Sequence, residues 1–134
     1  MQLIDENELQ KIYSLINHLN YESEKGAIVL VEGKRDKEAL NLLGYKGSIM
    51  IFNNFRGINN IIKHLEGKSK VILLFDMDRK GKELTKRISS LIHNTDLLYK
   101  RRLISITKGK ITHIEELVIY TKTLYSQYIY PKDY

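Results

Sequence analysis

Residues 71–81 read V-I-L-L-F-D-M-D-R-K-G and combine an apolar run, two acids and a glycine. The run Val71–Phe75 is typical of a strand that is buried on both faces of a sheet. Residues i and i+2 of an extended chain point to the same side, so Asp76 and Asp78 can face one spot past the strand end. Their carboxylates repel each other unless a divalent cation such as Mg²⁺ lies between them, although a turn with Asp as helix cap is a simpler alternative. Gly81 predicts a tight turn or a close approach to a ligand.

A second junction of the same kind lies upstream, where residues 27–36 read A-I-V-L-V-E-G-K-R-D. A short apolar strand again ends in an acid, Glu32, and Gly33 and a helix follow it. Neighbouring parallel strands lie about 4.8 Å apart, so acids at their carboxyl ends can converge on one metal ion or one phosphate group. The two junctions together predict a shared acidic site.

V-E-G-K-R-D followed by F-D-M-D-R-K-G resembles the Toprim domain, which is shared by topoisomerases, bacterial-type primases, OLD-family nucleases and a small ribosomal-RNA-maturing nuclease. The resemblance covers roughly residues 26–106. Its matching residues are Glu32, Gly33, Asp76, Asp78 and Gly81. The resemblance implies that Glu32 acts as general acid/base in phosphoryl transfer and helps to bind metal. It also implies that Asp76 and Asp78 bind Mg²⁺, for which Mn²⁺ can substitute.

The spacing of apolar residues predicts an α/β fold in which strands and helices alternate. The predicted strands are Ala27–Val31, Ser48–Phe52, Lys70–Phe75 and Arg102–Thr107. The predicted helices are Asp5–Asn20, Lys34–Leu43, Ile58–Leu65, Lys80–His93 and Thr112–Tyr128. This alternation predicts a Toprim-like three-layer fold, with a central, mainly parallel four-stranded sheet flanked by helices. The strand carboxyl ends, and with them the loop Lys108–His113, then lie along one edge of the sheet.

Several cations follow the two acidic junctions. Near the start of a helix they oppose the helix dipole, so helix stability does not explain them, whereas phosphate binding does. Solvated surface charge is the alternative. The candidate phosphate-binding residues are Lys34, Arg35, Arg56, Arg79 and Lys80. Gly57, beside Arg56, resembles a glycine that recurs in Toprim proteins, and we expect a close-approach position there.

Other polar residues have simpler explanations. Asp36 is interpreted as a first-turn helix acid, and Glu115 as the partner of Thr112 in a capping box. Glu116 is a weaker candidate for the metal site. The four histidines show no ligand spacing of the His-Glu-x-x-His kind, so no zinc site is predicted.

Composition restricts the classes of function. The chain has 134 residues, 22 Lys and Arg against 16 Asp and Glu, and no Cys. A net charge of +6 around an acidic site favours a polyanionic substrate, and the absence of Cys excludes disulfides and Cys-ligated zinc. No apolar run is long enough to span a membrane and the N-terminus is unlike a signal peptide, so we expect a cytoplasmic protein. We expect one Toprim domain over residues 1–134, with an N-terminal helix at 5–20 and a core at about 26–128.

The predicted function is that of a small Mg²⁺-dependent Toprim nuclease acting on RNA or DNA. A chain of this length has no room for the partner domains of full topoisomerases or primases, which favours the small nuclease branch. Two alternatives stay open. The chain could be a non-catalytic nucleic-acid-binding module in an RNA- or ribosome-associated complex, or a partner-dependent subunit of a primase-like or topoisomerase-like assembly. The sequence does not distinguish RNA from DNA, and it predicts neither a particular protein partner nor an oligomeric state.

Overall fold

Strands and helices alternate along the chain in a computed structural model, which describes residues 5–119 and 121. The strands are β1 (Ala27–Val31), β2 (Ile49–Ile51), β3 (Lys70–Leu73) and β4 (Thr95–Asp96). The α-helices are α1 (Glu6–Glu24), α2 (Lys34–Leu42), α3 (Ile58–Leu65), α4 (Arg79–Leu91) and α5 (Leu98–Thr107). A single 3₁₀ turn (Phe52–Asn54) follows β2.

The four strands form one sheet in the order β2-β1-β3-β4, and all three pairings are parallel. This confirms the predicted α/β fold with a central four-stranded sheet flanked by helices. β1 and β3 are neighbours at the centre, with Leu30 opposite Leu73. The chain runs outward from β1 to β2, then crosses back to β3 and continues to β4. A crevice therefore opens between the carboxyl ends of β1 and β3, where ligands of open α/β sheets bind.

The central strands are buried on both faces, as their apolar runs predicted. In β1, Ile28 and Leu30 pack against α3 and α4 on one face of the sheet. Val29 and Val31 pack against α1, α2 and α5 on the other face. Because both faces are covered, the carboxyl edge of the sheet is where these strands reach solvent.

Helix α1 begins at the predicted capping box. The N–H of Glu8 donates to Asp5 Oδ1 at 2.7 Å, and the N–H of Asp5 donates to Glu8 Oε1 at 2.8 Å. The helix ends at Glu24 instead of the predicted Asn20. The polar residues of its last turn remain helical because Glu22 Oε2 pairs with Lys70 Nζ at 2.8 Å and accepts the hydroxyl of Tyr99 at 3.0 Å.

The fourth strand was predicted at Arg102–Thr107, and this prediction is wrong. These residues form the last part of α5, and β4 is the two-residue strand Thr95–Asp96. The buried residues Tyr99, Leu103 and Thr107 repeat at helical spacing, which becomes visible only when the residues before Arg102 are included. β4 is too short and too polar to give an apolar signal. The other strand and helix bounds, apart from the end of α1 and the last helix, agree with the prediction within about two residues.

The start of the last helix was also predicted wrongly. Residues 112–115 form bends and turns, and helix begins at 116. Glu116, not Glu115, accepts the N–H groups of Thr112 and His113, at 2.9 and 2.8 Å. Residues 116–119 and 121 are helical, and the other residues of the predicted helix, 120 and 122–128, lie outside the described residues. Within the described ranges, no helix combines the length and apolar character needed to cross a membrane.

Candidate metal centre

Two acids that follow β3 meet a histidine from a distant part of the chain. Asp76, Asp78 and His113 each offer one ligand atom, and these atoms lie within 4.8 Å of one another. His113 Nε2 is 3.2 Å from Asp78 Oδ2 and 4.0 Å from Asp76 Oδ2. Asp78 also caps α4, because its Oδ1 accepts the N–H of Gly81 at 2.8 Å. The capping alternative and the proposed ligand role of Asp78 are therefore compatible, one for each carboxylate oxygen.

The segment that carries His113 also fixes Asp76. The N–H of Ile114 donates to Asp76 Oδ1 at 3.1 Å, and the N–H of Met77 donates to the carbonyl of Thr112 at 2.6 Å. Burial raises the pKa of the Asp76 carboxyl, against the opposing effects of the Ile114 N–H and His113. The neighbouring carboxylates of Glu32 and Asp78 raise it further. Asp76 is thus held in place but strained electrostatically, which favours a cation beside it.

Burial lowers the pKa of His113, but the carboxylates of Asp76, Asp78 and Glu116 outweigh burial and hold the pKa above its ordinary value. In the absence of metal, a protonated imidazole can therefore neutralise part of the negative charge.

Glu32 follows β1 directly and lies beside this group, but it is not one of its three members. Its Oε2 is 3.0 Å from Lys80 Nζ, and the side chain is only 13% exposed. Its Oε1 is buried, and no donor among the described residues lies within hydrogen-bond distance of it. A buried carboxylate oxygen without a donor is costly, and a cation or a protonated group on the substrate would satisfy it. The metal-ligating groups available here are three carboxylates and one imidazole, and this set fits a divalent cation.

The three glycines of the predicted site have different structural roles. A Cβ on Gly81 would lie 1.9 Å from the carbonyl oxygen of Asp76, so the first turn of α4 packs directly on the acidic loop. Gly57 has φ +84°, and among the described residues no atom beyond its chain neighbours lies within 4 Å of its Cβ position, so its role there is conformational. Gly33 has an ordinary extended backbone (φ −137°) and room for a Cβ. The close packing at Gly81 is therefore made by the chain itself, and the close approach expected at Gly57 remains a prediction.

The five predicted phosphate-binding cations are exposed and surround the carboxyl edge. Lys34 and Arg79 lie at 4.0 and 3.6 Å from Glu38 and Glu83, one helical turn further along α2 and α4. With side chains 84% and 94% exposed, these two contacts are weak. Lys80 is different, because its ammonium binds Glu32 at the crevice.

Sequence reasoning missed two residues of this centre. His113 was placed in a loop at the correct edge, but a search for closely spaced ligands could not pair it with acids 35 and more residues away. The other is Lys100 in α5, which is only 7% exposed. Its Nζ donates to Thr85 Oγ1 at 3.0 Å and approaches the Asp76 carbonyl at 3.5 Å. Burial, followed by repulsion from Lys82, lowers the pKa of Lys100. Its position behind the acidic loop depends on α5, which had been interpreted as a strand.

Asp36 fills the role predicted for it as a first-turn acid of α2. Its Oδ2 accepts the N–H of Gly33 at 3.0 Å. Burial raises the pKa of Asp36 to about 6, against the effect of that N–H, and the nearby carboxylates of Asp76, Glu115 and Glu32 contribute. Asp36 therefore lies within the electrostatic reach of the centre without being one of its ligand candidates.

The chain is similar in sequence to several known proteins and in fold to a solved structure. A UPF0292 protein of Archaeoglobus fulgidus is 30% identical over 114 residues, which cover 82% of this chain and 89% of the relative. A UPF0292 protein of Methanocaldococcus jannaschii is 36% identical over 116 residues, covering 85% of this chain and 81% of the relative. A solved structure, described as a putative protein from Aquifex aeolicus, is 32% identical with a TM-score of 0.65, covering 77% of this chain and 94% of that one.

The family comparison covers both strand-to-acid junctions as well as the segment with His113. The Toprim domain model matches residues 27–115, which include β1 through α5. The matched range includes Glu32 after β1 and the Asp76-Met77-Asp78 segment after β3. The chain belongs to the Toprim domain family.

Proposed function

We propose that this protein is a divalent-metal-dependent nuclease that cleaves phosphodiester bonds of RNA or DNA. The observation that carries the proposal is the convergence of Asp76, Asp78 and His113 beside the largely buried Glu32 at the carboxyl edge. A nucleic acid fits the basic chain and the exposed cations around this edge. The carboxylates of Asp76 and Asp78, taken alone, would favour Mg²⁺, for which Mn²⁺ can substitute.

Each side chain has a distinct role in the proposed reaction. Asp76 and Asp78 would hold the metal ion, which supplies Lewis-acid stabilisation of charge on the scissile phosphate. Glu32 would accept or donate the proton at the reacting oxygen, since its carboxylate lies in the crevice next to that pair. Lys80 keeps Glu32 Oε2 in place and can turn toward a phosphate oxygen. Lys34, Arg35, Arg56 and Arg79 would bind the flanking phosphates.

Substitution of the acids tests the proposed division of labour. Glu32→Gln should bind metal and substrate nearly as well as the parent but cleave at least about 10²-fold more slowly, because it cannot transfer the proton. Asp76→Asn should lose the metal-dependent rate, and excess Mn²⁺ should restore part of it, because an amide oxygen is still a weak ligand. The assay uses structured RNA, single-stranded DNA and duplex DNA, each with Mg²⁺, Mn²⁺ or chelator.

Glu66→Gln is the matched control for Glu32→Gln, because Glu66 is an exposed residue just after α3, at the opposite end of the sheet. It should cleave at the parental rate. Parental cleavage by Glu32→Gln would show that the assigned role is wrong. An absence of cleavage with every substrate and metal would contradict the nuclease proposal itself.

One feature favours the alternative of a non-catalytic binding module. Lys80 pairs with Glu32, and His113 lies against both aspartates, so the chain itself neutralises much of the acidic cluster. The three acids can therefore be retained in a protein that holds no metal. A protein that binds nucleic acid or a ribosomal partner with unchanged affinity in chelator, and that cleaves nothing, would support this second function.

A further inference from the structure

The imidazole of His113 faces the two aspartates with one ring nitrogen. Nε2 is 3.2 Å from Asp78 Oδ2 and 4.0 Å from Asp76 Oδ2. The ligand atoms of the three residues lie within 4.8 Å of one another, so a single ion between them could contact all three. An imidazole in this position is either a ligand of the ion or an internal cation that the ion must displace.

The other ring nitrogen is held by a hydrogen-bond chain. His113 Nδ1 is 2.8 Å from Thr112 Oγ1, which itself donates to Glu116 Oε1 at 3.3 Å. The Glu116 carboxylate can only accept, and when the hydroxyl donates to it, the hydroxyl oxygen is free to accept from His113, an arrangement that assigns the imidazole proton to Nδ1. In the neutral ring this leaves the Nε2 lone pair directed at the aspartates. Metal-binding histidines are oriented in this way, with the remote N–H bound to an outer partner.

Glu116 is itself fixed by the turn that presents His113. Its Oε1 accepts the backbone N–H groups of Thr112 and His113, and its carboxylate lies 3.6 Å from His113 Nδ1. The same segment donates the Ile114 N–H to Asp76. The turn is therefore built on the acidic loop and aims the imidazole into it, although 43% of the His113 side chain is exposed.

We propose that His113 is a ligand of the divalent ion through Nε2, together with Asp76 and Asp78, and that it selects a first-row transition ion such as Mn²⁺ over Mg²⁺. Mg²⁺ prefers an all-oxygen shell, whereas Mn²⁺ accepts both carboxylate and imidazole. This inference rests on the metal site of the proposed function and deepens it, because it identifies a nitrogen ligand and the class of metal ion.

The test measures metal binding by the full chain in the absence of nucleic acid. Pulsed electron paramagnetic resonance of bound Mn²⁺ should detect coupling to an imidazole nitrogen in the parent. The coupling should be lost in His113→Ala and retained in His93→Ala, an exposed histidine outside the centre. Calorimetric titration should show that His113→Ala weakens Mn²⁺ binding at least about tenfold and Mg²⁺ binding less. Thr112→Val is a second variant for the case that His113→Ala does not fold. It keeps the imidazole but removes the hydroxyl that contacts Nδ1, and its Mn²⁺ affinity should lie between those of the parent and His113→Ala.

Bound Mn²⁺ without nitrogen coupling in the parent would overturn the inference. So would tighter Mn²⁺ binding by His113→Ala, which is the result expected of an internal cation that the metal displaces. The outcome is distinguishable from that of the nuclease proposal. Nitrogen coupling without cleavage of any nucleic acid would support His113 as a ligand and contradict the nuclease proposal. Glu32-dependent cleavage without nitrogen coupling would support the nuclease proposal and contradict His113 as a ligand.

Discussion

At the scale of single residues, the fold places the acids in and beside the centre where burial disfavours the charged form of their carboxyl groups. Asp76 and Asp36 are both buried, and the pKa of each is raised chiefly by that burial. Backbone N–H groups of Ile114 and Gly33 offset part of this effect. Ionisation of these acids next to one another therefore costs stability, which is typical of functional sites.

The pKa of Asp36 leads to a prediction about pH and stability. Its folded-state pKa of about 6 exceeds the ordinary value of 3.8, so the folded protein binds the proton more tightly than the unfolded chain. The stability contributed by this group is present below pH 4 and is lost as the pH rises through 6. Asp36→Asn should therefore be more stable than the parent at pH 8, by about 1–2 kcal/mol after solvent screening is taken into account, with no advantage near pH 4.

Urea unfolding in chelator at both pH values measures this difference. The amide oxygen of the variant can still accept the Gly33 N–H, so the cap is kept. Glu38→Gln is the matched control, because Glu38 lies on the same helix with its side chain 57% exposed. A stability difference for Asp36→Asn that is the same at pH 4 and pH 8 would contradict the assignment.

At the scale of helices and strands, the centre depends on how closely α4 packs on the loop that precedes it. Gly81 lies in the first turn of α4, and its Cβ position is 1.9 Å from Asp76 O and 2.9 Å from Asp76 N. Lys100 approaches the same carbonyl from α5. The backbone of Asp76 is thus enclosed by two helices, which leaves it little freedom to move.

Gly81→Ala should consequently destabilise the protein, although alanine normally stabilises a helix relative to glycine by about 1 kcal/mol. We expect a loss of about 1–3 kcal/mol in the free energy of unfolding, because main-chain atoms must move to accept the methyl group. Metal affinity should fall as well, since Asp76 would be displaced. Gly33→Ala is the control for stability, because the nearest atom to its Cβ position is at 3.6 Å. Equal free energies of unfolding for Gly81→Ala and Gly33→Ala would show that the contact between Gly81 and the Asp76 backbone does not restrict the size of the side chain at position 81.

The elements also show what the sequence could and could not predict. β1 and β3 were predicted correctly because apolar runs that end in an acid and a glycine are local signals, and the three acids follow from the same signals. β4 was missed because two polar residues carry no period. His113 and Lys100 were missed because their positions depend on how α5 and the residues after it pack against the sheet. This arrangement depends on the packing of α5 against α1, which no local sequence pattern predicts.

At the scale of the whole molecule, charge is expected to guide nucleic acid to the carboxyl edge. Each cation that contacts a phosphate adds roughly 0.7–0.9 to the slope of log affinity against log salt concentration. Arg79→Ala with Lys80→Ala should therefore weaken binding to all sequences and reduce the slope by between one and two. Fluorescence anisotropy with labelled RNA and DNA at several salt concentrations, in chelator, measures both quantities.

The control for this prediction is Lys46→Ala with Lys63→Ala. Both residues are exposed and lie near the amino ends of strands, Lys46 before β2 and Lys63 in the last turn of α3. The control removes the same net charge from the opposite end of the sheet and should leave the salt slope near the parental value. Equal slopes for the two double variants would mean that binding responds to total charge and not to the carboxyl edge.

The residues of the centre come from three separated parts of the chain, near positions 32, 76 and 113. The pairing of β1 with β3 involves no residue of the segment 112–116. The carboxylates of Asp76 and Asp78 obtain their histidine, and Asp76 its N–H donor, only when that last turn folds over them. Any partly folded state that lacks this turn therefore carries an incomplete centre, even when β1 and β3 are paired.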